Sequence, residues 1–393
     1  MPSALIYKMR LKAPNKPGTA SHNFNYVKYI AEREHVMKLS PESESGLFGR
    51  INGVNNDELN VAHTQRYVYG ISKAGTTVYN AYISFRPEIA RRLELDGLEK
   101  WQNYIKYHIE TLMRGYNIPK DRFEYIAAVH DKKGQPHIHI SFWDKDPPVT
   151  VQFVKKEVSD NVRKKLIHDT FANELSYYYG ISNKAMSNAK ELVGKLMTDF
   201  ERDISGIYSD RFSGVDIPKE MVKKYADILN NLPKRGRIAY AYLPKETKDR
   251  VIGMIKEMIT LPKMKSIIND YYSGARSAAE MFDSKETENG KSEINKKMRK
   301  AAGDLYNRLG NIILKSMLRT LKENNEQKER DNTEISTQMT VDSVVYALNA
   351  VSRLFRMQGA AGTVNTAHSL IGELSKQAKK DIARQKQDKG REV

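Results

Sequence analysis

Three of the nine histidines in this 393-residue chain fall in one short string, HDKKGQPHIHI, as His130, His137 and His139. Successive side chains of a strand point to opposite faces, so His137 and His139 project from the same one. A hairpin through the turn-like DKKGQP brings His130, at the end of the preceding strand, beside His137. Three imidazoles then converge, a donor set suited to a divalent transition metal. A lone His-X-His pair more often simply faces water; the third histidine gives the pattern its weight. Three protein ligands leave coordination positions open, and an open site does Lewis-acid work, whereas a structural site is closed by a fourth ligand. The chain has no Cys, which excludes disulfides, thiolate metal sites, iron–sulfur clusters and a cysteine nucleophile. It has 22 Tyr. A phenolic oxygen is the nucleophile in best supply.

Charge narrows the substrate. There are 65 Lys and Arg against 48 Asp and Glu, a net charge of +17. An excess spread along the whole chain favours a polyanionic partner, of which nucleic acid is the usual one. An open three-histidine metal and a basic protein together point to a phosphodiester as the oxygen donor. A tyrosine attacking phosphorus would form a covalent protein–nucleic acid link that conserves the bond for rejoining. A small-molecule metal hydrolase would explain the histidines but not the charge.

The elements that must position these groups read as an α+β domain followed by a helical region. Ala4–Leu11, Thr77–Phe85, Phe123–His130 and His137–Trp143 have strand character. Helical stripes run through Phe24, Val27 and Ala31 within His22–His35, and through Leu98, Trp101, Ile105, Ile109 and Leu112, with Gly115 placed to end the second. Residues 40–65 read as a long polar loop anchored at Leu47–Ile51. Val151–Tyr178 is amphipathic. This order implies an antiparallel sheet backed by helices. From residue 184 helical periodicity takes over, as in Pro218–Asn230, Lys245–Thr260 and Ala301–Leu321. The division is therefore 1–183 and 184–393, the second part subdivided by a charged linker at Lys322–Thr340 ahead of an apolar helix, Val341–Phe355. No apolar run approaches the ~18–20 residues needed to cross a bilayer, and the N-terminus lacks the features of a secretory signal, so a cytoplasmic protein is expected.

The histidine string, with Pro136 ahead of its second histidine, resembles the third motif of conjugative relaxases, members of the HUH endonucleases. The segment SHNFNYVKYIAERE is similar to the first motif of that family, where the nucleophilic tyrosine follows the first strand. The whole is most similar to MobP/MobL-type mobilization relaxases of Gram-positive mobile elements. The resemblance covers about residues 1–180; beyond that it rests on helical character and the segment LPKRGRIAYAYLPKE. It implies an HUH fold and nicking of one DNA strand at an origin of transfer, through a 5′-phosphotyrosine that is later rejoined. It implies a divalent metal, Mn²⁺ or Mg²⁺, held by His130, His137 and His139, and DNA that is single-stranded around the nick. A type IV secretion coupling protein and relaxosome accessory proteins are the implied partners.

The family position favours Tyr26 as nucleophile, with Tyr29 as its rival; both fall off the apolar stripe, so periodicity alone does not choose. Tyr177–Tyr179 reads as a helix end. Candidate phosphate contacts are Arg33, Lys132 and Lys133 in the hairpin turn, and Arg163, Lys164 and Lys165 on the following helix. Glu124 shares the histidine face, but at ~3.3 Å per residue it lies roughly 20 Å away, so no general base is assigned. A rolling-circle replication initiator with the same chemistry is one alternative. A non-catalytic DNA-binding protein with a structural metal site is the other.

Overall fold

In the computed structural model, which describes residues 3–132, 134–209, 219–233, 236–283 and 293–330, the histidine string forms two adjacent central strands of a sheet. The strands are β1 (Leu5–Arg10), β2 (Phe48–Ile51), β3 (Val54–Asn56), β4 (Tyr79–Phe85), β5 (Phe123–Lys132) and β6 (Gln135–Asp144). They lie in the order β1-β4-β6-β5-β2-β3, and every pairing is antiparallel. The four expected strands are present, and the hairpin pair extends to a Lys132↔Gln135 register.

Alternation decides the layers. Ile138, Ile140 and Phe142 of β6 turn to one face with Tyr125, Ala127 and Val129 of β5. That face is covered by α3 (Pro87–Arg92), α4 (Leu98–Gly115) and α5 (Lys156–Thr170), through Ile89, Trp101, Ile105, Leu112 and Leu166. Ile126, Ala128 and Trp143 turn the other way, beneath α1 (Thr19–Glu32) and α2 (Val61–Lys73) with their Val27, Ile30, Ala31 and Val68. Burying about a hundred Å² of apolar surface on each of the larger aliphatic side chains among these contributes ~2 kcal/mol apiece, and the alanines contribute less. The expected α+β class, an antiparallel sheet backed by helices, is what forms. Gly115 ends α4 as expected, and a Cβ there would collide with Cγ2 of Val162 on α5.

Residues 40–65 are a loop only in part: 40–47 and 57–60 are irregular, while the rest forms β2, β3, the turn between them and the start of α2. Leu47, just ahead of β2, is buried with Phe48 and Ile51 on it, and Asn52 and Gly53, at φ 52° and 77°, make the two-residue turn into β3. Such turns demand positive φ at both positions, and Asn-Gly supplies it. Asn60 then caps α2, its side chain accepting from the His63 amide at 2.9 Å. The amphipathic stretch after residue 151 breaks at Phe171 into α5 and α6 (Ala172–Ser209). Tyr177–Tyr179 lie within α6, with Tyr177 largely exposed.

Among the described residues, four more α-helices follow: α7 (Lys219–Asn230), α8 (Lys245–Thr260), α9 (Pro262–Glu280) and α10 (Glu293–Arg330). Helix α10 runs through Lys322–Arg330, where a linker was expected; the rest of that stretch and Val341–Phe355 lie outside the described residues. Two compact units result. The first joins residues up to 178 with the described part of 276–297, where Ser3 Oγ donates to the Met281 carbonyl at 3.2 Å and Phe282 joins the core beside the sheet. The second has a helical core rich in methionine, including Met254, Met258, Met264 and Met317. Among the described residues, no helix is long and apolar enough to cross a membrane.

Burial of His108, on α4, holds its imidazole down to about 4, opposed by Asp169. Its free-chain value is ~6.5, so the folded state prefers the neutral ring. That preference stabilises the fold fully above pH ~6.5 and is lost as pH falls toward 4, a change of about 3 kcal/mol. His108→Gln is expected to flatten the fall in urea-unfolding stability between pH 6.5 and 4.5. An unchanged pH slope would count against this assignment.

Candidate metal centre and nucleophile

Strand pairing brings the three histidines together. His130 and His137 are direct cross-strand partners, and His139 lies opposite Ala128 one row along. All three rings share the sheet face under α1, with centroids 4.9–5.5 Å apart. One ring nitrogen from each can be chosen so that all lie within 4.8 Å of one another. Backbone carbonyls fix two of the tautomers. His130 Nε2–H donates to the Ile30 carbonyl at 2.8 Å, and His137 Nδ1–H donates to the Gln135 carbonyl at 3.0 Å. Each ring's other nitrogen keeps its lone pair, the arrangement of metal-binding histidines, whose second nitrogen is anchored on a carbonyl.

His139 Nε2 is buried with no hydrogen-bond partner. A buried, unsatisfied nitrogen costs about 1–3 kcal/mol unless something meets it. Burial lowers the pKa of all three rings; it takes His139 to about 3, helped by the nearby charges of His130, His137 and Arg33. The rings are therefore neutral at neutral pH, the state a metal requires. The set fits a divalent ion.

Helix α1 sets Tyr26 over β6, with Oη 3.1 Å from His139 Nδ1. With Nε2 offering its lone pair to the trio, Nδ1 carries the hydrogen and donates to Oη. Burial pushes the phenol well above its ordinary value, Tyr29 adds to this, and the Arg10 cation opposes it. Tyr29, with its own hydroxyl three residues on, is 44% exposed. That hydroxyl accepts from the Arg33 guanidinium, which also lies 4.9 Å over the ring. The Tyr26 and Tyr29 rings stack at 5.9 Å, and both stand about 6 Å from the His139 ring. Tyr26 presents its oxygen to the trio's histidine; Tyr29 presents its own to Arg33. The buried stripe of α1 is Asn23, Val27, Ile30 and Ala31, so Phe24 sits at its margin, against Tyr69.

The basic candidates separate. Arg33 stands close enough for its charge to bear on all three histidines. Lys132 is exposed at the hairpin end of β5, while Lys133 lies outside the described residues. Arg163, Lys164 and Lys165 ride on α5, which covers the opposite face of the sheet. Arg163 is a correction: it is buried, and its guanidinium donates to Ser3 Oγ and to the Phe282 carbonyl, both at 3.1 Å. Its helical phase with Val162, Leu166 and Ile167 turns it inward, so it ties the chain together and is not displayed to a ligand. Lys164 pairs with Glu293, and Lys165 with Asp169. Glu124 is fully occupied by Tyr67 Oη at 2.7 Å, Trp143 Nε1 at 3.1 Å and the Asn52 amide at 2.8 Å. It fastens the β2–β3 turn and α2 to the sheet.

Sequence reasoning missed a cleft. A cavity of about 690 Å³ opens beside Tyr26 between α1 and β1, and Lys8, Arg10 and Lys12 stand in its wall. The signal lay in LIYKMR, where Lys8 and Arg10 alternate with the buried Tyr7 and the half-buried Met9. Which face that is depends on β1 lying two strands from β6, which local pattern does not reveal.

Comparison with known families places residues 7–360 among the MobL relaxases. No curated protein and no solved structure matches the chain. With the family match spanning most of its length and the histidine trio in place, the chain belongs to the MobL relaxase family, and its role is that of a DNA relaxase.

Proposed function

We propose that the protein nicks one DNA strand at an origin of transfer with Tyr26 as nucleophile. The observation that carries this reading is the Tyr26 oxygen 3.1 Å from a histidine whose far nitrogen is buried and unpartnered. The Tyr26 oxygen forms a bond to phosphorus, the bond to the 3′ oxygen breaks, and that oxygen takes up a proton. The products are a 5′-phosphotyrosine and a free 3′-OH, and attack by that hydroxyl reverses the step. His130, His137 and His139 would hold a divalent ion, which when bound draws charge from a non-bridging phosphate oxygen. Mn²⁺ suits an all-nitrogen set better than Mg²⁺, a harder ion that prefers oxygen.

The chain's own residues orient the attack. Donation from His139 Nδ1–H and the nearby Arg10 charge both favour the ionised phenol that burial opposes. Arg33, beside the trio, is placed to meet a phosphate oxygen. A phosphate reaches a phenol half-buried under α1 more readily from a single strand, whose backbone bends freely. Handover to a type IV coupling protein, with relaxosome accessory proteins, completes the reading on the strength of the resemblance.

The test is a supercoiled plasmid carrying the element's own origin, incubated with the protein and Mn²⁺. Open circles bearing protein on the 5′ end, resistant to boiling in detergent, are expected. Tyr29→Phe is expected to keep the adduct. Binding without adduct under every divalent ion would support the non-catalytic alternative, and a nick confined to a replication origin would support the initiator.

A further inference from the structure

The cleft beside Tyr26 is a feature of the first unit that nicking chemistry alone leaves unexplained. Three cations stand in its wall, Lys8, Arg10 and Lys12, and among the described residues no Asp or Glu lines it. Cations gathered in a concave wall focus their potential on what enters. Basic residues on an edge strand often serve only to prevent strand-to-strand aggregation. Here they are turned elsewhere. Lys8 and Arg10 point along the sheet face that carries the histidines, while Leu5 and Tyr7 take the opposite face.

Register fixes the distances. Lys8 pairs with Tyr82, and Tyr82 pairs with His139, so the three form one row across β1, β4 and β6. Two inter-strand steps of ~4.8 Å put Lys8 about 10 Å from His139, with Arg10 one row further along beside Asn80. Tyr82 stands between cations and histidines, its ring 5.2 Å from His137 and 5.5 Å from His139, and it lines the cleft. Cations stepping away from a reactive phenol with an aromatic ring between them suit a single nucleic-acid strand: phosphates on the cations, a base on the ring.

We infer that this cleft seats the DNA segment adjoining the scissile phosphate, with Arg10 and Lys12 binding its phosphates and Tyr82 stacking on a base. The inference rests on the nicking function proposed above and names how that site holds its substrate. It can be tested with full-length protein and a labelled single-stranded dT20, in EDTA so that binding is read apart from chemistry. Removing one cation that neutralises a phosphate lowers the slope of log affinity against log salt by about 0.7. Arg10→Gln and Lys12→Gln are each expected to lower the slope by that amount. Lys106→Gln, on α4 across the sheet, is expected to leave it unchanged. Tyr82→Leu should weaken binding roughly 5- to 100-fold, and Tyr82→Phe, which keeps the ring, should bind as wild type.

Unchanged slopes for both cation variants would overturn the seat. So would an equal fall for Lys106→Gln, the mark of a diffuse field, or wild-type binding by Tyr82→Leu in a folded protein. The two readings fail separately. A wild-type protein that nicks while Arg10→Gln and Lys12→Gln keep their slopes refutes the seat alone. One that shows these slopes but never forms an adduct with plasmid DNA refutes the tyrosine chemistry alone.

Discussion

Tyr26→Phe is expected to form no covalent complex with origin DNA and to nick at least ~10⁴-fold more slowly, the scale on which a covalent nucleophile's removal is felt. The substitution removes one oxygen. Helix α1 is anchored by Asn23, Val27, Ile30 and Ala31, none of which it disturbs, and the stacked rings of Tyr26 and Tyr29 are kept. Only the hydrogen bond to His139 disappears, at a cost of about 1 kcal/mol. Binding of single-stranded DNA should therefore stay within about threefold of wild type, since its affinity comes mainly from phosphate contacts. The measurement is a denaturing gel of end-labelled DNA beside a binding titration. An adduct formed at the wild-type rate would remove Tyr26 from the mechanism.

The second large effect is on the metal. His137→Ala is the informative variant because His139 also touches the nucleophile, and its loss would confound two roles. The His137 ring is half-buried, so its removal costs little packing, yet it deletes one of three nitrogens. Mn²⁺ retained after dialysis, measured by elemental mass spectrometry, should fall below about a tenth of wild type. Nicking should fall more than ~100-fold with it. The thermal stabilisation that Mn²⁺ gives the wild-type protein should vanish as well, because a ligand stabilises only the fold that binds it. Full metal content with full activity would dismiss the trio as the metal site.

The trio was legible because it is local. Strand period and a short turn are enough to bring His130, His137 and His139 to one face, and both can be read from a dozen residues. The choice between Tyr26 and Tyr29 was not. They sit three residues apart on one helix, and what separates them is how α1 crosses β6, a tertiary fact. The stripe read through Phe24 was offset from the true one at Asn23 and Ile30, which blurred the phase further.

Arg163 shows the same limit from the other side. Its charge invites a surface role, but its acceptors come from Ser3 and Phe282, more than a hundred residues away on either side. No local pattern reveals such a return of the chain. The reverse error at 40–65 was avoidable: polar content suggested a loop, while Ile51-Asn52-Gly53-Val54 carried the hairpin signal. In Lys322–Arg330, charge density suggested a linker, yet Lys, Glu, Gln and Arg are also good helix formers, and the helix prevails.

The most direct measurement identifies the attached residue. Trypsin cuts after Lys28 and so separates Tyr26, the sole tyrosine of residues 13–28, from Tyr29 in residues 29–33. Nuclease-trimmed adduct, digested and read by mass spectrometry, should carry the nucleotide on the 13–28 peptide. A nucleotide on 29–33, or on any other peptide, would contradict the account.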